Sequence, residues 1–157
     1  MTPKQQNLLS DFEQFALKAA SGKSLMEHVA ERLHGEIAYY NWVGFYLVDP
    51  ADRNFLIVGP FVGSFTPNAR IPLARGLCGA AAVDGETVVV NDVSKDSRYL
   101  SGSSMVKSEI VVPLFHKKTL IAELDVESYF ADTFTTAEQQ FVESCAAIVA
   151  AHAGKAG

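Results

Sequence analysis

Cysteine is scarce in this chain of 157 residues: only Cys78 and Cys145 are present. Two are too few for the disulfide framework of a small secreted domain, and neither has a partner at zinc-site spacing, so both are expected as reduced thiols. The four histidines, His28, His34, His116 and His152, fall on separate segments without ligand spacing, and no metal is expected. No run of about 20 apolar residues could span a bilayer. Near the start, Lys4, Asp11, Glu13 and Lys18 interrupt any signal-peptide core, which leaves a cytoplasmic chain without membrane contact as the expectation. Basic charge is in deficit, with 13 Lys and Arg against 18 Asp and Glu and a formal net charge of -5. No segment interleaves Lys or Arg with aromatics, which argues against a nucleic-acid partner. Gly76-Leu77-Cys78-Gly79 lacks the third glycine and the strand-turn-helix setting of a dinucleotide fingerprint, and no cofactor is expected.

What is present suits one folded unit over 1–157. The composition, 48% hydrophobic and 20% charged, lacks the polar bias of a disordered chain. A domain of this length buries roughly 70% of the surface its unfolded chain exposes. Thr2-Pro3 reads as a helix start, and Leu8, Leu9, Phe12, Phe15, Ala16 and Ala19 follow at helical spacing. Ser24 and Glu27 read as a capping box for a second helix whose stripe of Val29, Ala30 and Leu33 runs to Gly35. From Asn41 the period becomes two, with Trp42, Gly44 and Tyr46 on one strand face and Val43, Phe45 and Leu47 on the other. Asp49 to Asn54 is turn chemistry, and Phe55 to Val58 reads as the returning strand of a hairpin.

A short Ala-rich helix around Leu77 to Val83 and a strand at Thr87 to Val90 come next, then a long polar loop from Asn91 to Lys107. Loops of that length without their own structure are often functional. Glu109 to Phe115 and Leu120 to Ser128 form a further hairpin around His116-Lys117-Lys118-Thr119. Thr135 and Glu138 make a capping box for a closing helix striped by Phe141, Cys145, Ile148, Val149 and His152, with Gly154 as its stop. Helices at both ends and strands between them predict an α+β fold: an antiparallel sheet with the terminal helices packed on one face and a loop-covered pocket on the other.

The chemistry points to that second face. Alternation places Glu123, Asp125 and Glu127 together on one face of the last strand, near Glu109 of its partner and near Trp42 and Tyr46. A solvated strand face would explain the acids and core packing the aromatics. Acids beside aromatics also suit a cation such as the ammonium of a free amino acid.

An ordered set of motifs then resembles one family. Asn41-Trp42-Val43-Gly44-Phe45-Tyr46-Leu47, Gly59-Pro60-Phe61, Arg70-Ile71-Pro72, Arg75-Gly76-Leu77-Cys78-Gly79, Asn91-Asp92-Val93, Ser108-Glu109-Ile110-Val111-Val112-Pro113 and Leu124-Asp125-Val126-Glu127-Ser128 are similar to the GAF-domain free methionine-(R)-sulfoxide reductases. The resemblance implies the GAF fold and a ligand pocket lined by Trp42, Tyr46, Glu109, Asp125 and Glu127, with Glu127 where the family usually has Asp. It also implies a loss: the family's nucleophilic and resolving cysteines fall on Gly102 and Asn68, and only Cys78 of its thiols is kept. A small-molecule sensor that binds an amino-acid-like or amine metabolite without redox chemistry is therefore the first expectation, with the 91–107 loop as its lid. The alternatives are a reductase working through Cys78 and an external thiol, and a homodimeric interaction module paired through its terminal helices. An acidic sheet face opposes a cyclic nucleotide phosphate.

Overall fold

The first helix, α1 (Pro3–Lys18), is started by its own flanking residues: Thr2 accepts from the Gln5 N–H, the Gln5 side chain accepts from the Thr2 N–H, and Pro3 sits where a missing donor is harmless. The structure, a computed structural model, describes residues 1–65, 67–100 and 103–156, with side chains in the last helix as far as 154. The second helix, α2 (Gly22–Glu36), starts earlier than the Ser24–Glu27 pair suggested. Ser21 is the cap, and Ser21 and Ser24 accept from each other's backbone N–H. Serine at the third position does the work expected of glutamate, so the motif was displaced by one turn.

Six strands follow: β1 (Trp42–Val48), β2 (Phe55–Gly63), β3 (Arg70–Pro72), β4 (Val88–Val90), β5 (Ser108–His116) and β6 (Thr119–Ser128), with α3 (Gly76–Asp84) between β3 and β4. They form one sheet in the order β3-β2-β1-β6-β5-β4, with every pairing antiparallel. This is the expected architecture. β2 runs five residues past the expected Val58, because Phe61 to Gly63 still pair with β1 beyond a register shift at Gly44/Tyr46. The long 91–107 loop contains a short 3-10 turn at Val93–Lys95, nucleated by Asp92, whose carboxylate accepts from the Ser94 N–H.

The closing helix, α4 (Thr136–Ala156), is capped by Thr135, whose hydroxyl accepts from the Glu138 N–H. Glu138 does not complete the expected box. Its carboxylate instead accepts from the Tyr39 hydroxyl at 2.6 Å and from the Tyr40 hydroxyl, tying α4 to the segment before β1. Burial and this carboxylate push the Tyr39 phenol up to about 12. Gly154 does not end the helix, which continues to Ala156. A glycine there costs only about 1 kcal/mol of helix propensity, too little to stop a helix with one turn left.

Strand alternation divides the interior in two. Val43, Phe45, Leu124, Val126, Ile110 and Val112 face α1, α2 and α4, whose Phe12, Leu25, Val29, Leu33 and Phe141 complete the larger core. Cys145 is fully buried there, on the expected stripe, and burial raises its thiol pKa. On the other face Trp42, Tyr46, Leu56, Val111 and Ile71 pack under Leu77, Cys78 and Ala81 of α3. No helix among the described residues is long and apolar enough to cross a membrane.

Candidate functional site

The central strands set the site by register. On β6, Glu123, Asp125 and Glu127 project to the α3 side, and β5 places Glu109 directly opposite Glu127. From the other neighbour, β1 sets Trp42 opposite Glu127, Gly44 opposite Asp125 and Tyr46 opposite Glu123. Gly44 is required for close approach: a Cβ there would lie 2.7 Å from the Phe61 Cβ and inside the Trp42 ring. The indole lies over Gly44 and Gly63 and stacks with Tyr46, Phe61 and Phe65 at centroid separations of 6.1, 5.6 and 5.8 Å.

Helix α3 brings the sulfur from a distant part of the chain. Its N-terminus turns at Gly76, with φ of 71°, and Gly79 packs so tightly on Leu73 and Ala74 that a Cβ would meet the Leu73 carbonyl oxygen at 2.7 Å. Cys78 is thereby lowered onto the sheet with Sγ 3.8 Å from Asp125 Oδ2.

All four acids are buried, with Glu109 at 4%, Glu123 at 0%, Asp125 at 3% and Glu127 at 5% exposure. The solvated-face reading is thus excluded. Burial raises every one of their pKa values: Asp125 goes up to about 6, and Glu109, Glu123 and Glu127 rise well above the usual carboxylate range, pushed further by the charge of Asp125. Glu109 and Asp125 each bring a carboxylate oxygen to within 4.8 Å of the other and of Cys78 Sγ. The same burial, with four acids nearby, raises the Cys78 thiol well above its ordinary value. Both Glu123 oxygens, Asp125 Oδ1 and the Trp42 indole N–H are buried without a hydrogen-bond partner among the described residues. Native interiors rarely leave such groups unpaired, so the arrangement points to a missing partner.

A cavity opens onto this cluster, walled by Tyr46, Cys78, Glu109, Asp125 and Glu127 beneath and by Phe65, Pro67, Asn68, Ile71, Arg75 and Leu100 above. Its free space is about 20 Å³, room for little more than one water. Tyr46, Glu109, Asp125, Glu127 and Cys78 meet at the cavity. Trp42 does not line it and acts from behind, through the Tyr46 ring. Asn68 stands in the wall, whereas Gly102 lies outside the described residues. Leu100 from the 91–107 loop closes one side, 3.2 Å from where a Gly76 Cβ would lie. Glu123, on the acid face that alternation marked, is not among the cavity-lining residues, and sequence reasoning missed Phe65, Pro67, Arg75 and Leu100 as lining ones. Only Leu100, an apolar residue inside a polar loop, carried a local signal.

Comparison with known proteins agrees with this geometry. The family model that matches residues 23–152 is that of the GAF domain. The chain is similar to GAF domain-containing protein A of Dictyostelium discoideum, 34% identical over 87% of this chain and 84% of the other. It is similar to the free methionine-R-sulfoxide reductase of Saccharomyces cerevisiae, 33% identical over 83% of this chain and 71% of that one. Among solved structures, the free methionine-R-sulfoxide reductase of Neisseria meningitidis in complex with its substrate superposes with a TM-score of 0.89 at 32% identity, covering 96% of this chain and 90% of the other.

Proposed function

This chain belongs to the GAF domain family, and we propose that its pocket binds a free, amine-bearing amino acid, with methionine-(R)-sulfoxide the first candidate. The observation that carries this reading is the convergence of four buried acids on one sheet face, three of them (Glu109, Asp125 and Glu127) lining the cavity beside Tyr46 and two (Glu123 and Asp125) with unpartnered oxygens. An ammonium supplies the hydrogen-bond donors and the charge those oxygens lack, and the ring face adds a cation–π contact. Acids that keep their protons donate instead to a sulfoxide oxygen, a neutral acceptor. Arg75, the only cationic residue among the described cavity-lining ones, stands at the exposed mouth beside the first turn of α3, where a ligand carboxylate is favoured. A cavity of about 20 Å³ requires the Phe65 and Leu100 walls to part for the ligand.

Kinship with the named reductases favours turnover over sensing. In that reading the Cys78 thiolate attacks the sulfoxide sulfur while a protonated acid of the cluster gives its proton to the oxygen. Methionine leaves as the thioether and Cys78 becomes a sulfenic acid. One external thiol displaces water to form a mixed disulfide, and a second releases Cys78 as thiol and leaves as the external disulfide. The non-redox sensor is favoured by a different observation: Cys78 is buried among acids that oppose its thiolate, and the family resemblance implies that the reductases' nucleophilic and resolving positions fall on Gly102 and Asn68.

Thermal melts across a panel of amino acids and amines test binding, with a rise for methionine-(R)-sulfoxide expected and no shift with any compound overturning the proposal. A thiol-coupled turnover assay separates the two readings. Activity lost in Cys78→Ser and kept in Cys145→Ser selects the reductase; tight binding without turnover selects the sensor.

A further inference from the structure

The floor of the cavity holds a donor set richer than an ammonium needs. Sγ of Cys78 and one carboxylate oxygen each of Glu109 and Asp125 lie within 4.8 Å of one another, and all three residues are buried. Glu123, completely buried, brings two oxygens without partners among the described residues, and Asp125 Oδ1 is likewise unpartnered. None of the ion pairs among the described residues reaches these acids. Buried acids are normally paired or coordinate a metal. The free space of about 20 Å³ fits an ion without any movement of the Phe65 and Leu100 walls.

We propose that Cys78, Glu109 and Asp125 bind a borderline-soft divalent cation of the zinc type, with a water as fourth donor. Around tetrahedral zinc, with Zn–S near 2.3 Å and Zn–O about 2.0–2.2 Å, donor atoms stand roughly 3.3–3.6 Å apart. The three donors therefore need to draw together by about an ångström, within the reach of side-chain torsions. The thiol selects against magnesium and calcium, which take six or more oxygens, and the enclosed floor offers no room for their waters. The scattered positions 78, 109 and 125 have no motif spacing, so the expectation of no metal, read from cysteine and histidine spacing, did not weigh them. On binding, the thiol and any protonated carboxyl among the ligands release their protons to solvent, no electrons move, and affinity rises with pH. The site stands on its own geometry and does not need the amino-acid reading. Its consequence for that reading is exclusion, because the metal takes the oxygens an ammonium would use.

The test is titration of the reduced, chelator-treated full chain with cadmium, followed through the thiolate-to-cadmium ultraviolet band, with zinc and magnesium as competitors. One equivalent is expected, displaced by zinc and not by magnesium, with affinity increasing from mildly acidic to mildly alkaline pH. The band should persist in Cys145→Ser and vanish in Cys78→Ser. Should Cys78→Ser not fold, Glu109→Gln takes its place, with affinity expected to fall at least tenfold. No saturable band, a band lost only in Cys145→Ser, or unchanged affinity in Glu109→Gln overturns the proposal. The readout contains no amino acid, so metal binding without amino-acid binding leaves this inference standing while refuting the other.

Discussion

Asp125 sits where β1, β5, β6 and α3 meet, and its protonation bears on stability. Its folded pKa is raised from 3.8 to about 6 by burial. A group raised on folding contributes fully below its unfolded pKa and loses that contribution as pH rises through the folded one. For Asp125 the loss falls between 3.8 and about 6, and the further-raised Glu109, Glu123 and Glu127 extend it upward. Asp125→Asn should therefore stabilise the ligand-free protein near neutral pH by about 2–3 kcal/mol, with little gain near pH 4. It should also weaken amino-acid binding. Paired melts at the two pH values check this, and an equal gain at both would contradict it. Gly44→Ala should act in the opposite sense, displacing the Trp42 ring at a cost of about 1–3 kcal/mol and tilting Tyr46 out of the cavity wall. At this scale the sequence was informative where alternation rules: Glu109, Asp125, Glu127 and Tyr46 were legible because a period of two fixes their face. Trp42 was legible as to face but not as to depth, since its place behind Tyr46 depends on Gly63 from another strand. The contact of Cys78 with Asp125 spans 47 positions and had no local signature.

The elements were mostly readable because their ends carry caps and turns. Where boundaries moved, a substitute residue was responsible, as with Ser24 answering Ser21 in place of a glutamate. The β5–β6 hairpin turns on Lys117 and Lys118, with φ of 48° and 66°. Two positive-φ positions in a two-residue connection match the turn that favours Asn-Gly, and lysine is strained there. Replacing the pair by Asn-Gly should raise stability by about 1–2 kcal/mol, a gain of several degrees in Tm for a domain of this size. Chemical denaturation should show a higher midpoint with an unchanged slope; a lower midpoint would refute the strain. The 91–107 loop was legible as a long polar loop, but not the placement of Leu100, which depends on how it folds back on Gly76. Leu100→Ala should speed ligand association severalfold in stopped-flow measurements with little loss of stability, since Leu100 is 40% exposed. Unchanged association would remove it as a gate.

Across the whole molecule, the sheet separates two interiors with different duties. The face under α1, α2 and α4 is predominantly apolar and holds Cys145, while the face under α3 carries the acids and Cys78. The two thiols lie on opposite sides of the sheet, so no intramolecular disulfide can resolve a sulfenic acid at Cys78. Any reductase turnover must depend on external thiol. The division also explains how a buried acidic cluster is tolerated: the larger core supplies hydrophobic stabilisation, and the smaller one is left free to hold polar groups that await a partner.

The central claim is that these acids bind the ammonium of a free amino acid, and calorimetric titration of the reduced protein with methionine-(R)-sulfoxide and with its N-acetyl derivative tests it most directly. The account predicts saturable binding of the free amino acid and a loss of at least tenfold in affinity for the N-acetyl form, which keeps the sulfoxide and lacks the charge. Equal affinity for both would contradict it.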